Sequence, residues 1–251
     1  MKPLVTKSII PNFFTIGNLV SGFTAIIQIS RGEFVNAALF ILAAMLFDAL
    51  DGMMARLVKA TSELGMQLDS LSDMVSFGIA PSYMLYEAFF FQYGFFGIIF
   101  SSLPAICGAM RLAKYNITSS ANEDKTYFTG FPIPSAAITL VSYIVFVFDK
   151  NILPPEFEKN LIFYLVPLVS YAMVGRMRFE NAPRPNLKDL KKRWFFASMF
   201  VLAIVVASIT AGKAIFFIMM LYLLIGIFRW LINLINKDRL IEEIVDDEDI
   251  D

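Results

Sequence analysis

The sequence predicts an all-α integral membrane protein of about eight transmembrane helices, and three observations carry that reading. Of 251 residues, 57% are hydrophobic and 17% charged, with a mean hydropathy of +0.65, whereas a soluble domain carries roughly a quarter charged residues. The apolar residues gather into runs long enough for a bilayer core, which needs about 20 per helix. The lysines and arginines then fall on alternate connections between the runs, the bias that sets orientation in a membrane.

The first run, Phe13–Ser30, follows Lys2 and Lys7 and stops at Arg31. The second, Phe34–Val58, ends among Arg56 and Lys59. The third and fourth, Leu71–Phe91 and Phe95–Leu112, are parted only by Gln92-Tyr93-Gly94, and Arg111, Lys114 and Lys125 close the fourth. The fifth, Ile133–Phe148, gives way to Lys150 and Lys159. The sixth, Leu161–Gly175, precedes the most basic connection, with Arg176, Arg178, Arg184, Lys188, Lys191, Lys192 and Arg193. The seventh and eighth, Trp194–Ala211 and Ala214–Leu234, are parted by Lys213, and Arg229, Lys237 and Arg239 end the series. With the amino terminus in the cytoplasm, only Arg31, Lys150, Lys159 and Lys213 lie outside, so both termini are expected to be cytoplasmic. Backbone polar groups find no water in hydrocarbon, which makes helices the default for such runs.

The whole chain, 1–251, reads as one membrane domain. Residues 1–11 suit a short interfacial segment, and the run after them reads as a span rather than a signal peptide because more spans follow at once. Residues 236–251 form a cytoplasmic tail, and its acidic part, Glu242–Asp251, reads as a solvated, disordered end.

The chain has no histidine and a single cysteine, Cys107. That excludes imidazole bases, His or Cys metal clusters, Ser-His-Asp and Cys-His nucleophiles and an internal disulfide. A net charge of -1 offers nothing to nucleic acid. Any metal must be held by oxygen, and proton transfer falls to Asp, Glu, Lys, Tyr or water.

The informative stretch is Asp48-Ala-Leu-Asp51-Gly52-Met-Met-Ala55-Arg56, eight residues, then Gly65-Met-Gln-Leu-Asp69-Ser-Leu-Ser-Asp73. Asp48 and Asp51 are three apart and Asp69 and Asp73 four apart, so each pair lies on one face of its helix. The first pair ends the second span and the second pair opens the third. A short connection makes these helices antiparallel neighbours, and the four carboxylates can converge just inside the membrane. An Asp at a helix centre costs about 2.5–3.5 kcal/mol on insertion scales, and mutual repulsion adds to this. The matching partners are hard divalent cations, Mg²⁺ or Mn²⁺, as one ion or a pair that clamps both oxygens of a phosphoryl displacement. Gly52, Ala55 and Gly65 are small enough either to let a flat ligand approach or to pack helices. Arg56 is suited to a phosphate or to a positive-inside anchor, and Ser62 offers a hydroxyl.

Asp48-x2-Asp51-Gly52-x2-Ala55-Arg56-x8-Gly65-x3-Asp69-x3-Asp73 resembles the signature of the CDP-alcohol phosphatidyltransferases without a departure. Three further segments resemble the serine-transferring branch of that family: Pro11-Asn12-Phe-Phe-Thr15-Ile-Gly-Asn18-Leu-Val-Ser-Gly22, Gly108-Ala-Met-Arg111-Leu-Ala-Lys114-Tyr-Asn116, and Phe128-Thr-Gly130-Phe-Pro132-Ile-Pro134-Ser-Ala-Ala. The resemblance implies a six-helix catalytic core over residues 12–178, with two additional helices over 194–235. It implies transfer of the phosphatidyl group from CDP-diacylglycerol to L-serine, giving phosphatidylserine and CMP. Asp48, Asp51 and Asp69 would hold one ion, Asp48, Asp69 and Asp73 the second, and Asp73 would be the catalytic base. Gly52, Arg56 and Ser62 match the CDP-diacylglycerol-binding positions, flanked by Ala55 and Gly65, with Asn12 and Thr15 closing the pocket. Arg111, Lys114 and Asn116 are the candidates for serine, Arg111 and Lys114 reading otherwise as positive-inside anchors. A homodimer in a prokaryotic cell membrane, among membrane lipids, is also implied.

Two other readings compete. One keeps the donor and changes the acceptor to glycerol 3-phosphate or inositol 1-phosphate, whose phosphate would want a denser cationic pocket. The other is a divalent-cation or proton transporter, since intramembrane acids often mark ion paths. These acids gather at one face instead of forming a relay, and no broken-helix pair recurs in two halves.

Overall fold

The structure is a computed structural model that describes residues 5–58, 62–119, 127–148, 150, 152–175, 177–180, 210 and 212–248. α1 (Val5–Ser30) and α2 (Phe34–Val58) form an antiparallel hairpin packed along its length. Its turn is closed by Gly32 at φ 76°, whose N–H donates to Ile29 O at 2.8 Å while the Glu33 N–H reaches Gln28 O at 3.0 Å. Only glycine takes that backbone conformation without strain. Ala25, Ala37 and Ala44 are fully buried in this pair, and their size lets the backbones approach closely.

α3 (Glu63–Asp73) opens on Ser62, whose side chain accepts the Gly65 N–H at 3.0 Å. It runs through a π turn, Met74–Ile79, into α4 (Ala80–Ala88). The Ala80 N–H bonds Val75 O, five residues back. Pro81 follows at once; a proline has no N–H to give, and its ring crowds the preceding turn, so a widened turn relieves it. A short 3₁₀ turn, Phe90–Tyr93, leads to α5 (Gly94–Ser119), which carries Pro104. The Ala105 N–H next to that proline is taken by Ser82 Oγ of α4 at 3.0 Å, one of the ways a neighbouring helix satisfies backbone in a membrane.

After α5 come β1 (Tyr127–Thr129), α6 (Ile133–Ser142) with a π turn at Tyr143–Val147, α7 (Pro155–Val174), β2 (Arg178–Glu180) and α8 (Lys213–Glu248). β1 and β2 pair antiparallel with Phe128 opposite Phe179. These two strands are the departure from an all-α chain. They form where segments leaving α5 and α7 meet at the same end of the bundle, outside the helices.

Among the described residues, five helices are long and apolar enough to cross a membrane: Asn12–Ser30, Phe34–Met54, Phe90–Ile117, Glu156–Val174 and Lys213–Ile232, with a shorter apolar helix at Ile133–Val147. The protein is a multi-pass membrane protein. The expected third span begins earlier, at Glu63, and is the α3–π–α4 rod rather than one regular helix. The expected seventh span, Trp194–Ala211, lies outside the described residues. Residues 5–11, expected as an interfacial segment, are the first turns of α1. The acidic end expected to be disordered is helical as far as Glu248, because no Gly or Pro interrupts α8 after Gly226. Its 36 residues extend about 54 Å at 1.5 Å per residue, well beyond a hydrocarbon core of about 30 Å. Large apolar side chains such as Phe13, Val20, Leu39, Leu46, Phe95, Tyr164 and Phe228 stand exposed on the helices, as they would against lipid tails.

Candidate active site

Two carboxylates reach the site from the last turns of α2 and two from α3. Oxygens of Asp48, Asp51 and Asp69 all lie within 4.8 Å of one another. Asp73, one turn beyond Asp69, stands outside that trio but within electrostatic range of all three. Asp51 and Asp73 are buried. At an effective dielectric of about 20, two unit charges about 5 Å apart repel by about 3 kcal/mol, so the trio is not stable as bare carboxylates. Asp69 Oδ1 is buried with no hydrogen-bond partner among the described residues, an acceptor left open to a ligand. An all-oxygen donor set with an orphaned oxygen fits a hard divalent cation.

α1 braces this group from one side. Thr15 Oγ1 donates to Asp51 Oδ2 at 2.7 Å, and Asn18 Nδ2 donates to Asp73 Oδ1 at 2.9 Å. Thr15, expected to close the nucleotide pocket, thus places its hydroxyl on an acid. Asn12 stands at the mouth: a Cβ on Gly65 would lie 3.5 Å from Asn12 Oδ1 and 3.0 Å from Ser62 Oγ. Gly52 differs from the packing glycines, because a Cβ there would meet nothing within 4 Å. Among the described residues no neighbouring helix packs against that position, which favours ligand approach over helix packing there. Ala55 and Arg56 continue α2 beyond the acids, and their side chains lie outside the described residues.

The residues expected to hold serine separate. Arg111 on α5 is half-buried, its Nε buried without a hydrogen-bond partner, and its electrostatic neighbours are Tyr115, Asp73 and Tyr222. Asn116 donates to Ser70 Oγ at 3.0 Å, which ties the end of α5 to α3 beside Asp69. Lys114 is exposed. The Phe128–Pro134 segment is fastened to α7 and to the residues just after it: Phe131 N–H donates to Ala172 O of α7 and Gly130 N–H to Met177 O, both at 2.8 Å. Gly130 has φ 89°, and a Cβ would sit 2.2 Å from Met173 O, so only glycine fits there. Residues 130 and 131 are therefore pinned to the end of α7 and the segment after it, while residues 120–126 lie outside the described residues.

Residues 8–174, which contain all four acids and their α1 braces, match CDP-alcohol phosphatidyltransferase. The chain belongs to the CDP-alcohol phosphatidyltransferase family. A relative from Helicobacter pylori (strain ATCC 700392 / 26695), called CDP-diacylglycerol–serine O-phosphatidyltransferase, is 34% identical over 94% of this chain and 99% of its own length. A Bacillus subtilis (strain 168) protein of the same name is 35% identical over 74% of this chain and 98% of its own. The archaetidylserine synthase of Methanothermobacter thermautotrophicus is 33% identical over 72% of this chain and 77% of its own.

The CDP-alcohol phosphatidyltransferase match ends with α7, so α8 is an addition to the family region. That addition packs on the family region: Tyr222 of α8 lies against Phe131, ring centroids 5.7 Å apart, within electrostatic range of Arg111. Sequence reasoning missed Tyr222, and no spacing could have found it. It also passed over Ser70, and it quoted Asn18 without giving it a role. For Asn18 a signal was present, since it follows Thr15 by three residues and so shares its helix face.

Proposed function

We propose that this member of the CDP-alcohol phosphatidyltransferase family transfers the phosphatidyl group of CDP-diacylglycerol to the hydroxyl of L-serine, releasing CMP and forming phosphatidylserine. The carrying observation is the convergence of Asp48, Asp51 and Asp69, with Asp73 beside them, at one end of the bundle. The named relatives support serine as acceptor, because they differ in the lipid and agree on serine.

Serine's hydroxyl is a weak nucleophile at neutral pH and needs a base within hydrogen-bond reach. Asp73 takes the proton as the serine oxygen bonds to the phosphorus carrying diacylglycerol, and the bond from that phosphorus to the bridging oxygen breaks, so CMP leaves. Asp48, Asp51 and Asp69 would hold one divalent cation and Asp48, Asp69 and Asp73 a second, and the pair would supply positive charge toward the pyrophosphate. Mg²⁺ and Mn²⁺ both suit oxygen ligands. The open side of Gly52 receives the nucleotide-diphosphate portion, Asn12, Ser62 and Gly65 edge it, and Arg56 pairs with a phosphate. Arg111, with an unpaired buried N–H, receives serine's carboxylate, and the aliphatic chains stay among the lipids. The distribution of Lys and Arg puts the site and both termini on the cytoplasmic face, where soluble serine and CMP exchange. We place the enzyme in a prokaryotic cell membrane as a homodimer.

The test is CMP release from CDP-diacylglycerol in detergent or liposomes with Mn²⁺ or Mg²⁺, offering serine, glycerol 3-phosphate and inositol 1-phosphate separately. Metal-dependent release with serine alone is the expected result. Release with another alcohol overturns the acceptor, and silence with all three from folded protein returns the ion-transport reading.

A further inference from the structure

We propose that Asn18 is a positioning residue for Asp73: its amide claims Oδ1 of that carboxylate and leaves Oδ2 to take the acceptor's proton. The inference rests on the reading of Asp73 as proton acceptor. Asn18 is 0% exposed, and its Nδ2 lies 2.9 Å from Asp73 Oδ1. Its own Oδ1 is buried with no hydrogen-bond partner. An asparagine kept for packing would be better replaced by an apolar side chain of similar size, which strands no acceptor. The orphaned oxygen is tolerable because the other half of the amide has a task.

The same residue is held from behind. Ser76 Oγ donates to the Asn18 backbone carbonyl at 3.0 Å, from within the π turn that starts directly after Asp73. A Cβ on Gly22 would sit 2.2 Å from Ser76 Oγ and 2.8 Å from Ser76 Cα, so glycine is what lets α1 come this near. Asn18 is thus gripped by Asp73 at its side chain and by Ser76 at its backbone. One turn earlier, Thr15 holds Asp51. One face of α1 therefore serves two acids of different standing: Asp51 belongs to the converging trio, and Asp73 stands outside it.

That difference makes the two contacts separable. Full-length wild type, Asn18→Ala, Asn18→Asp and Thr15→Val are compared by CMP release, titrating serine, CDP-diacylglycerol and Mn²⁺, and by the number of CDP-diacylglycerol sites per protein. Asn18→Ala is expected to lower kcat about 30-fold or more, within the range of a misdirected general base. Its donor KM and site count stay near wild type, and saturating Mn²⁺ does not restore kcat. Asn18→Asp keeps the volume but loses the amide donor and sets a carboxylate against Asp73, so it falls at least as far. Thr15→Val raises half-saturating Mn²⁺ about 10-fold, as loss of a hydrogen bond to a metal ligand does. A merely structural role for Asn18 would move kcat and the number of donor sites together. Turnover within threefold of wild type in either Asn18 variant overturns the proposal. So does a loss that excess Mn²⁺ restores, or one matched by loss of donor sites. Where Asn18→Ala fails to fold, Asn18→Asp decides alone. If wild type prefers another alcohol, the acceptor assignment falls and Asn18 is judged with that alcohol.

Discussion

The hydroxyl of Thr15 donates to Oδ2 of Asp51 at 2.7 Å, across the α1–α2 hairpin. It occupies one lone-pair direction of a buried carboxylate that also lies, by an oxygen, within 4.8 Å of oxygens of Asp48 and Asp69. Outer partners of this kind change metal affinity about 10- to 100-fold. Thr15→Val, which keeps the volume and removes the donor, therefore shifts the metal titration of CMP release to higher concentration. Identical titrations would remove the orienting role.

Asp73→Asn keeps size and a polar tip but cannot take a proton. Turnover is expected to fall about 100- to 10,000-fold, while CDP-diacylglycerol still binds, as measured by equilibrium binding to purified protein. Full turnover in this variant would exclude Asp73 as the base.

Arg111 is within electrostatic range of Asp73, and its Nε is buried without a hydrogen-bond partner among the described residues. A hydrogen bond to a charged group contributes about 1.5–3 kcal/mol, so Arg111→Ala should raise the KM for serine about 10- to 100-fold and leave the donor KM alone. A serine KM equal to wild type would discard the carboxylate contact.

Gly22 and Gly52 separate two uses of glycine. Gly22→Ala drives a methyl into Ser76 and should destabilise by about 1–3 kcal/mol, read as a fall in Tm in detergent. Gly52→Leu meets no protein atom near its Cβ, so Tm should hold while the donor KM rises. A Gly52 variant that binds CDP-diacylglycerol normally would show that the open side of α2 is not the donor's place.

Chelation tests the acid cluster without mutation. EDTA should abolish CMP release and lower Tm, since carboxylates about 5 Å apart repel once uncompensated. Mn²⁺ or Mg²⁺ at about 100 times its Kd should stabilise by about 2.7 kcal/mol. A Tm indifferent to both would argue against a metal held by Asp48, Asp51 and Asp69.

Much of the fold was legible because membrane insertion writes itself into hydropathy and charge placement. The α1, α2, α5 and α7 spans lie close to where the apolar runs put them. The third was harder, since Pro81 and the π turn alter a helix without altering its composition. The two strands, Tyr127–Thr129 and Arg178–Glu180, had no signal in either partner alone, because three residues pair only when α5 and α7 deliver them to one place. The acids showed the same division. Spacing placed Asp48 with Asp51 and Asp69 with Asp73 on shared helix faces, whereas the contacts that orient them come from α1, more than thirty residues away in sequence.

By itself, the sequence determined that this chain lives in a membrane and brings four acids to one end of an antiparallel helix pair. It also left oxygen as the only ligand chemistry, through the absence of histidine. Local periodicity and composition suffice for those statements, because each concerns one helix or two joined by a short turn. Only the tertiary structure decided that Thr15 and Asn18 hold different acids, that Gly22 packs while Gly52 stays open, and that α8 sets Tyr222 against Phe131. Those outcomes depend on which helix faces meet, and the meeting is settled by packing across the whole bundle rather than by any segment alone.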